Sequence, residues 1–528
     1  MPASIPFRRF LPVILALFAI SAALRWSWRS DPIVANIEAS YHVLLTVEAM
    51  NETPVSVHRF LPIVTLGREL DRDVRFGASV RGPNGIYYYT SFAPLGFVAP
   101  WAFFHLTGLT PSVDHLLVFN LCLHLAATIL FALLVCEIVS ALGVDRTTQA
   151  WAVVLTAATY LFTFEALYSH GVIYWHHSLF QVVWLAQLLS AARVLRNVDA
   201  GMPLRRREAA LLLATSLIGP AVEWTGYLAS ATIAVLCFWR SYRTSRADLR
   251  RLGFGVLAGP AIAGVGFIAH FVAVIGVDPL IAALKARAGA RSTAQGSLDA
   301  LGKGYIESYG ALLVFVPSIV VAGIFAARTR LPGWLFAIIV AAILPVGENL
   351  LLAQHATMYH FDRLKALVPM VILVVVSIAV MPTAFRPRAV FAWLAVFCWC
   401  SAGITRSRTI GVAPPMATND ALMQRVAPKA RSCAVYATNA VPRGWVELSF
   451  GANAYEAVPS VDSLKHLVSA RGACQGLYFR AARRPGEAMY VWQDVAIFDP
   501  QTGVVDTLEW AAPRRFHKTP LAPLVASR

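Results

Sequence analysis

Apolar stretches close to the roughly 20 residues that cross about 30 Å of hydrocarbon recur along the chain from Phe10 to Ile404. Eleven are predicted to span a membrane: 10–26, 115–141, 150–168, 172–192, 209–219, 221–239, 252–275, 308–327, 331–353, 365–381 and 388–404. The run 209–239 is too long for one span. Gly219-Pro220 is expected to break it into a hairpin of short helices, because proline removes a helical hydrogen bond. Of 528 residues, 57% are hydrophobic and 14% charged, against about 25% charged in soluble domains. That balance argues against a soluble enzyme, a disordered scaffold and a disulfide-stapled secreted module.

The net charge of +16 is read as membrane topology rather than nucleic-acid binding, since Lys and Arg accumulate in cytoplasmic loops. Arg8 and Arg9 precede the first apolar run, which continues into Arg25 without an A-x-A cleavage site, so an uncleaved first span with its N-terminus inside is expected. Arg193, Arg196 and Arg205 to Arg207 follow the fourth span, Arg240 to Arg251 the sixth, Arg328 and Arg330 the eighth, and Arg386 and Arg388 the tenth. All then share one side, provided that the Pro-broken, aromatic stretch 93–108 is interfacial or re-entrant. Only six of 45 basic residues are Lys, and with abundant Ala this fits a high-GC bacterial genome. The expected location is therefore a bacterial inner membrane.

This gives a membrane domain, 1–404, with outer loops at 27–114 and 276–307, and a small outer α/β domain at 405–528. Strands are expected at Ala434–Ala437 and Ala488–Trp492 and a helix at Ser463–Ala470. Cys433 and Cys474, the two cysteines of this tail, are free to pair in an oxidising compartment. No Walker, Rossmann or CxxC motif occurs.

The first loop is too long for a connector. Its segment from Asn36 to Met50 places apolar residues on one helical face, fitting a helix on the membrane surface. Glu38 and His42 are four apart on it. A carboxylate and an imidazole there suit acid/base work on a head group, while an acid near a helix N-terminus also simply complements the dipole.

Ile37-Glu38-Ala39-Ser40-Tyr41 through Glu48-Ala49-Met50 resembles the D-E-x-x-Y-x-x-x-A-x-x-M pattern of the GT-C superfamily of polytopic glycosyltransferases, which includes protein O-mannosyltransferases and the lipid A aminoarabinose transferase. Tyr87 to Gly96, followed by Phe103 to Gly108, is similar to the family's P-P-L motif and amphipathic helix. The resemblance implies an all-α polytopic fold with outer juxtamembrane helices. It also implies transfer of a sugar from a polyprenyl-phosphate donor to a glycan, lipid or protein acceptor. Ile37 stands where the family carries Asp, so the catalytic carboxylate falls to Glu38 or Asp31. Glu223, beside Gly219-Pro220, takes the place of a second acidic residue.

Further candidates for substrate contact are Tyr89, His170, His176, His177 and the outer cations Lys285, Arg287 and Arg291, which suit phosphate. His355, His360 and Arg363 form another such cluster between spans nine and ten. The spacing of His170, His176 and His177 is poor for helical metal ligands, so no metal site is assigned and a divalent ion stays open. The rival reading is a transporter or lipid-linked-sugar flippase, which Glu137 and Glu348 near span interiors keep in play.

Overall fold

The computed structural model describes residues 5–28, 37–167, 169–170, 173–291, 298–327, 331–409, 422–439, 443–483 and 490–509. Asp31 lies outside them. The chain opens with α1 (Leu11–Trp28) and α2 (Ile37–Glu52), then a two-stranded ribbon of β1 (Ser79–Arg81) and β2 (Tyr87–Tyr89). Next come α3 (Leu95–Thr107), α4 (Val113–Ala141), α5 (Arg146–Phe162), α6 (His176–Asp199), α7 (Arg206–Val222), α8 (Thr225–Thr244) and α9 (Ala247–Ile275). Two loop helices, α10 (Val277–Arg291) and α11 (Leu298–Tyr309), lead into α12 (Leu312–Ala326), α13 (Gly333–Ile343), α14 (Leu367–Val380) and α15 (Arg386–Thr409).

A helix occupies each of the eleven apolar stretches. Among the described residues, five are long and apolar enough to cross a membrane: Val113–Ala141, His176–Asp199, Ala247–Ile275, Gly333–Leu351 and His360–Val380. A sixth is added if α11 and α12, bent by 84° at their junction, count as one broken span. The span expected at 308–327 therefore has a bent partner that the sequence reading placed in a loop. The stretch 93–108 is a 13-residue helix, α3, with Pro100 inside it and Gly108 as a left-handed cap.

The hairpin at 209–239 turns later than expected. Helix α7 runs through Pro220, and the chain reverses at Glu223-Trp224. Proline cannot donate to the carbonyl four residues back, and Ser230 Oγ on α8 donates to that Ser216 carbonyl instead, at 3.3 Å. Gln187 of α6 ties the same pair together, donating to Ser216 Oγ and Ser230 Oγ at 3.0 Å each. Gly219 and Gly226 let the two legs touch: a Cβ on Gly226 would lie 2.2 Å from the Gly219 carbonyl carbon.

The tail forms a five-stranded sheet in the order β4-β3-β5-β6-β7, from β3 (Ala434–Thr438), β4 (Ala454–Tyr455), β5 (Gln475–Arg483), β6 (Tyr490–Phe498) and β7 (Val505–Glu509). Strands β4, β3 and β5 are parallel, joined through α16 (Gly444–Phe450) and α17 (Val461–Arg471), and β6 and β7 add antiparallel. Cys433 and Cys474 are disulfide-bonded, and Cys122, Cys136, Cys237, Cys398 and Cys400 are free. The domain docks on the first loop. Asn453 accepts from the Leu66 N–H at 2.9 Å and donates to the Val64 carbonyl at 3.1 Å, and Arg471 pairs with Asp73 at 2.7 Å.

Gly226→Ala is expected to force the α7–α8 legs apart and destabilise the protein by about 1–3 kcal/mol, the usual cost of overpacking. Gly266→Ala, whose Cβ would meet nothing within 4 Å, is expected to be near neutral. Thermal unfolding of the detergent-solubilised variants checks both.

Candidate active site

The reversal at Glu223-Trp224, the end of α10 and the irregular turns from Leu344 to Ala366 enclose a small cavity, partly open to solvent. Glu223, Glu348, Asp362, His355, Lys365 and Arg291 supply its charged and titratable lining, with Phe92 and Trp224 as apolar walls. Burying this many charges in a helical bundle is tolerable only when they are paired, and most of them are. Asp362 accepts from His177 Nε2 on one carboxylate oxygen and from His355 Nδ1 on the other. Lys365 Nζ bonds Glu348 Oε2 at 2.6 Å, with the Thr225 hydroxyl on the same oxygen.

Two groups are the exceptions. Glu223 Oε1 accepts from the Trp224 N–H at 3.0 Å, but among the described residues Oε2 has no hydrogen-bond partner. His177 Nδ1 lies 3.5 Å from Oε2. Arg291 is buried with its guanidinium over the Phe92 ring, 4.6 Å from the centroid. An open carboxylate thus lines the same cavity as a cation held by a ring face rather than by an acid. Helix α10, which carries that cation, buries only Leu280 and Arg291.

The histidines near the start of α6 diverge. His177 faces the cavity carboxylates. His176 turns to the Val222 carbonyl, 3.2 Å away, and packs edge-on against Phe92 and Phe97. Gly96 makes room for it, since a Cβ there would meet the His176 ring at 2.5 Å. His170 points into the bundle, against His124 and Tyr160. They are not a shared ligand set, and among the described residues no group of three His, Cys, Asp or Glu side chains is arranged to hold a metal ion.

The first-loop candidates sit elsewhere. Glu38 is half-buried where α2 meets α16, against Gly444, and does not line the cavity. Burial, then the charge of Glu447, pushes its carboxyl up to about 8. Glu447 is itself raised to about 7 by burial. His42, one turn on, is packed among Phe76, Tyr89, Phe97 and Trp175 with ring centroids 4.3–5.6 Å away. Burial, then Arg287 and Arg443, brings it down to about 3, so it is neutral at physiological pH. Tyr89 belongs to that aromatic cage.

Of the loop cations, Arg291 reaches the cavity, Arg287 donates to Ser91 Oγ at 2.6 Å, and Lys285 is exposed. Arg363 does not pair with its neighbour Asp362. It is buried with Glu165 at 3.4 Å, Ser308 Oγ at 2.7 Å and His360 Nδ1 at 2.6 Å, and lies outside the cavity lining. Glu165, Glu348 and Lys365 were not singled out as site residues. A lone acid inside an apolar run, as at Glu348, is the signal that finds such groups.

The fold is similar to the crystal structure of the Archaeoglobus fulgidus oligosaccharyltransferase, solved in complex with Zn and sulfate, with a TM-score of 0.50 and 11% identity over 88% of this chain and 68% of that one. At that identity the likeness speaks to the fold alone. No protein-family model matches the sequence, and no curated protein matches it.

Glu38 and Glu447 carry a pH consequence. An acid whose pKa is raised by folding stabilises the fold while protonated, and that contribution is lost as pH rises through the folded pKa. Docking of the tail on α2 is therefore expected to be firmest at acidic pH and to weaken from the ordinary carboxylate value of 4.5 up to about 8. Glu38→Gln removes one titration and should flatten the profile. Thermal unfolding followed against pH, in both proteins, is the check.

Proposed function

We propose that this protein is an integral membrane glycosyltransferase that moves a sugar from a polyprenyl-phosphate donor to a glycan, lipid or protein acceptor on the outer face of a bacterial inner membrane. The observation that carries the reading is the pairing, across one cavity, of the open Glu223 carboxylate with the Arg291 guanidinium. Glu223 accepts the proton of an acceptor hydroxyl as that oxygen attacks the anomeric carbon. The bond from that carbon to the phosphate oxygen breaks, its electron pair stays on the phosphate, and Arg291 meets the charge that develops there. His177, held by Asp362, keeps its Nδ1 edge 3.5 Å from Glu223 Oε2.

The archaeal structure contains Zn. Here both oxygens of Asp362 are engaged by imidazoles and Glu348 by Lys365, so these donors do not fit a shared ion and no step is routed through one. Glu38, half-buried against the tail, acts in this reading as a docking group, and Asp31 keeps its place as a first-loop alternative.

Turnover of a radiolabelled polyprenyl-phosphate sugar by the purified protein tests the assignment. Glu223→Gln keeps shape but not basicity and is expected to lower kcat by about 10²–10⁴, while Glu38→Gln and Asp31→Asn stay within a few-fold of wild type. Arg291→Gln is expected to raise KM for the donor. Full activity of Glu223→Gln with loss in either first-loop variant would move the base to the first loop.

A further inference from the structure

One helical turn along α6 from His177, at Gln181, begins a second polar cluster that the proposed transfer does not use. Arg25 of α1 is fully buried, and its Nη2 donates to the Leu161 carbonyl at 3.0 Å, where the Ser21 hydroxyl also donates at 3.1 Å. Among the described residues its Nε and Nη1 have no partner. Among them, too, Arg25 pairs with no carboxylate, and Glu165 of the neighbouring turn gives its Oε1 to Arg363 and Ser308.

Around this cation the other side chains are also buried and under-bonded. His124 and His170 stack with centroids 4.4 Å apart and planes 2° from parallel. Tyr160 lies 5.0 Å from the His124 ring, its hydroxyl 3.4 Å from both His170 Nε2 and Gln181 Oε1. Among the described residues, both ring nitrogens of His124, Nδ1 of His170, Oδ1 of Asn120 and the Thr159 and Thr163 hydroxyls have no hydrogen-bond partner.

Water satisfies hydroxyls and imidazoles in such a place, but it leaves the charge uncompensated. A guanidinium does not escape by losing its proton, as a buried Lys or His does. An unpaired ion in low dielectric is far costlier than an unpaired dipole. The missing partner is therefore an anion.

We infer that the Arg25, His124 and His170 cluster is a second anion site, one turn deeper than the transfer cavity, that takes a phosphate-type oxyanion. The free guanidinium N–H groups can donate to phosphate oxygens, and the imidazoles and threonine hydroxyls add neutral donors. Arg25 stands three residues from the end of α1, Trp28, so a lipid phosphate group and free phosphate share the chemistry required.

Full-length protein is the sample. One arm titrates inorganic phosphate against the thermal unfolding midpoint in detergent. The other compares nanodiscs of phosphatidylglycerol and phosphatidylcholine, with retained lipid read by native mass spectrometry. Wild type is expected to respond to at least one probe: phosphate itself, or the anionic lipid alone if the head group is the ligand. Arg25→Gln is expected to weaken that response at least about tenfold, as for the loss of a charge-assisted hydrogen bond. Glu223→Gln should keep it, which separates this site from the transfer reading. If Arg25→Gln does not fold, His170→Gln serves, with weaker binding expected. No response in wild type, or an unchanged response in the variant that folds, overturns the proposal and leaves the cluster to water.

Discussion

The requirement that a buried charge find its opposite governs the middle of this structure. Asp362 gathers His177 and His355, Glu348 gathers Lys365 and Thr225, and Glu165 gathers Arg363 and Ser308. These three carboxylates draw partners from α6, α8, α11 and the turn preceding α14, segments far apart in sequence. Breaking such a buried pair typically costs about 3–5 kcal/mol, so the network fixes how those elements meet at the cavity. Groups left open against that background, the Glu223 carboxylate and the Arg291 guanidinium, are then the ones the proposed transfer employs.

The bundle was legible because its signal is one-dimensional. Runs of apolar residues near membrane length mark helices whatever they pack against, and the strands and helix of the tail announced themselves by period. What escaped was set by partners distant in sequence. Gly219-Pro220 reads locally as a turn, but Ser230 repairs the carbonyl that Pro220 strands, and the helix runs on. Arg363 and Asp362 are adjacent in sequence, yet Glu165 and two histidines divide their charges between them.

The site was half legible. Glu223, His177, His355 and Arg291 were named from sequence and meet in or at one cavity. Glu38 and His42 were named by the same kind of argument, and the structure turns them towards the tail and an aromatic cage. Spacing of four places two side chains on one helix face. It does not say which neighbour that face is given to, and here α16 takes the position nearest Glu38.

The α7–α8 hairpin has a kinetic meaning as well as a structural one. Its legs are locked by backbone contact at Gly219 and Gly226 and by Gln187 across both, so Glu223 sits on a tip that cannot slide. The opposite wall is α10, which buries two residues in fifteen and belongs to the part of a structure that opens at least cost. In the proposed transfer the carboxylate would therefore stand on the braced wall of the cavity and the cation on the one less tied down.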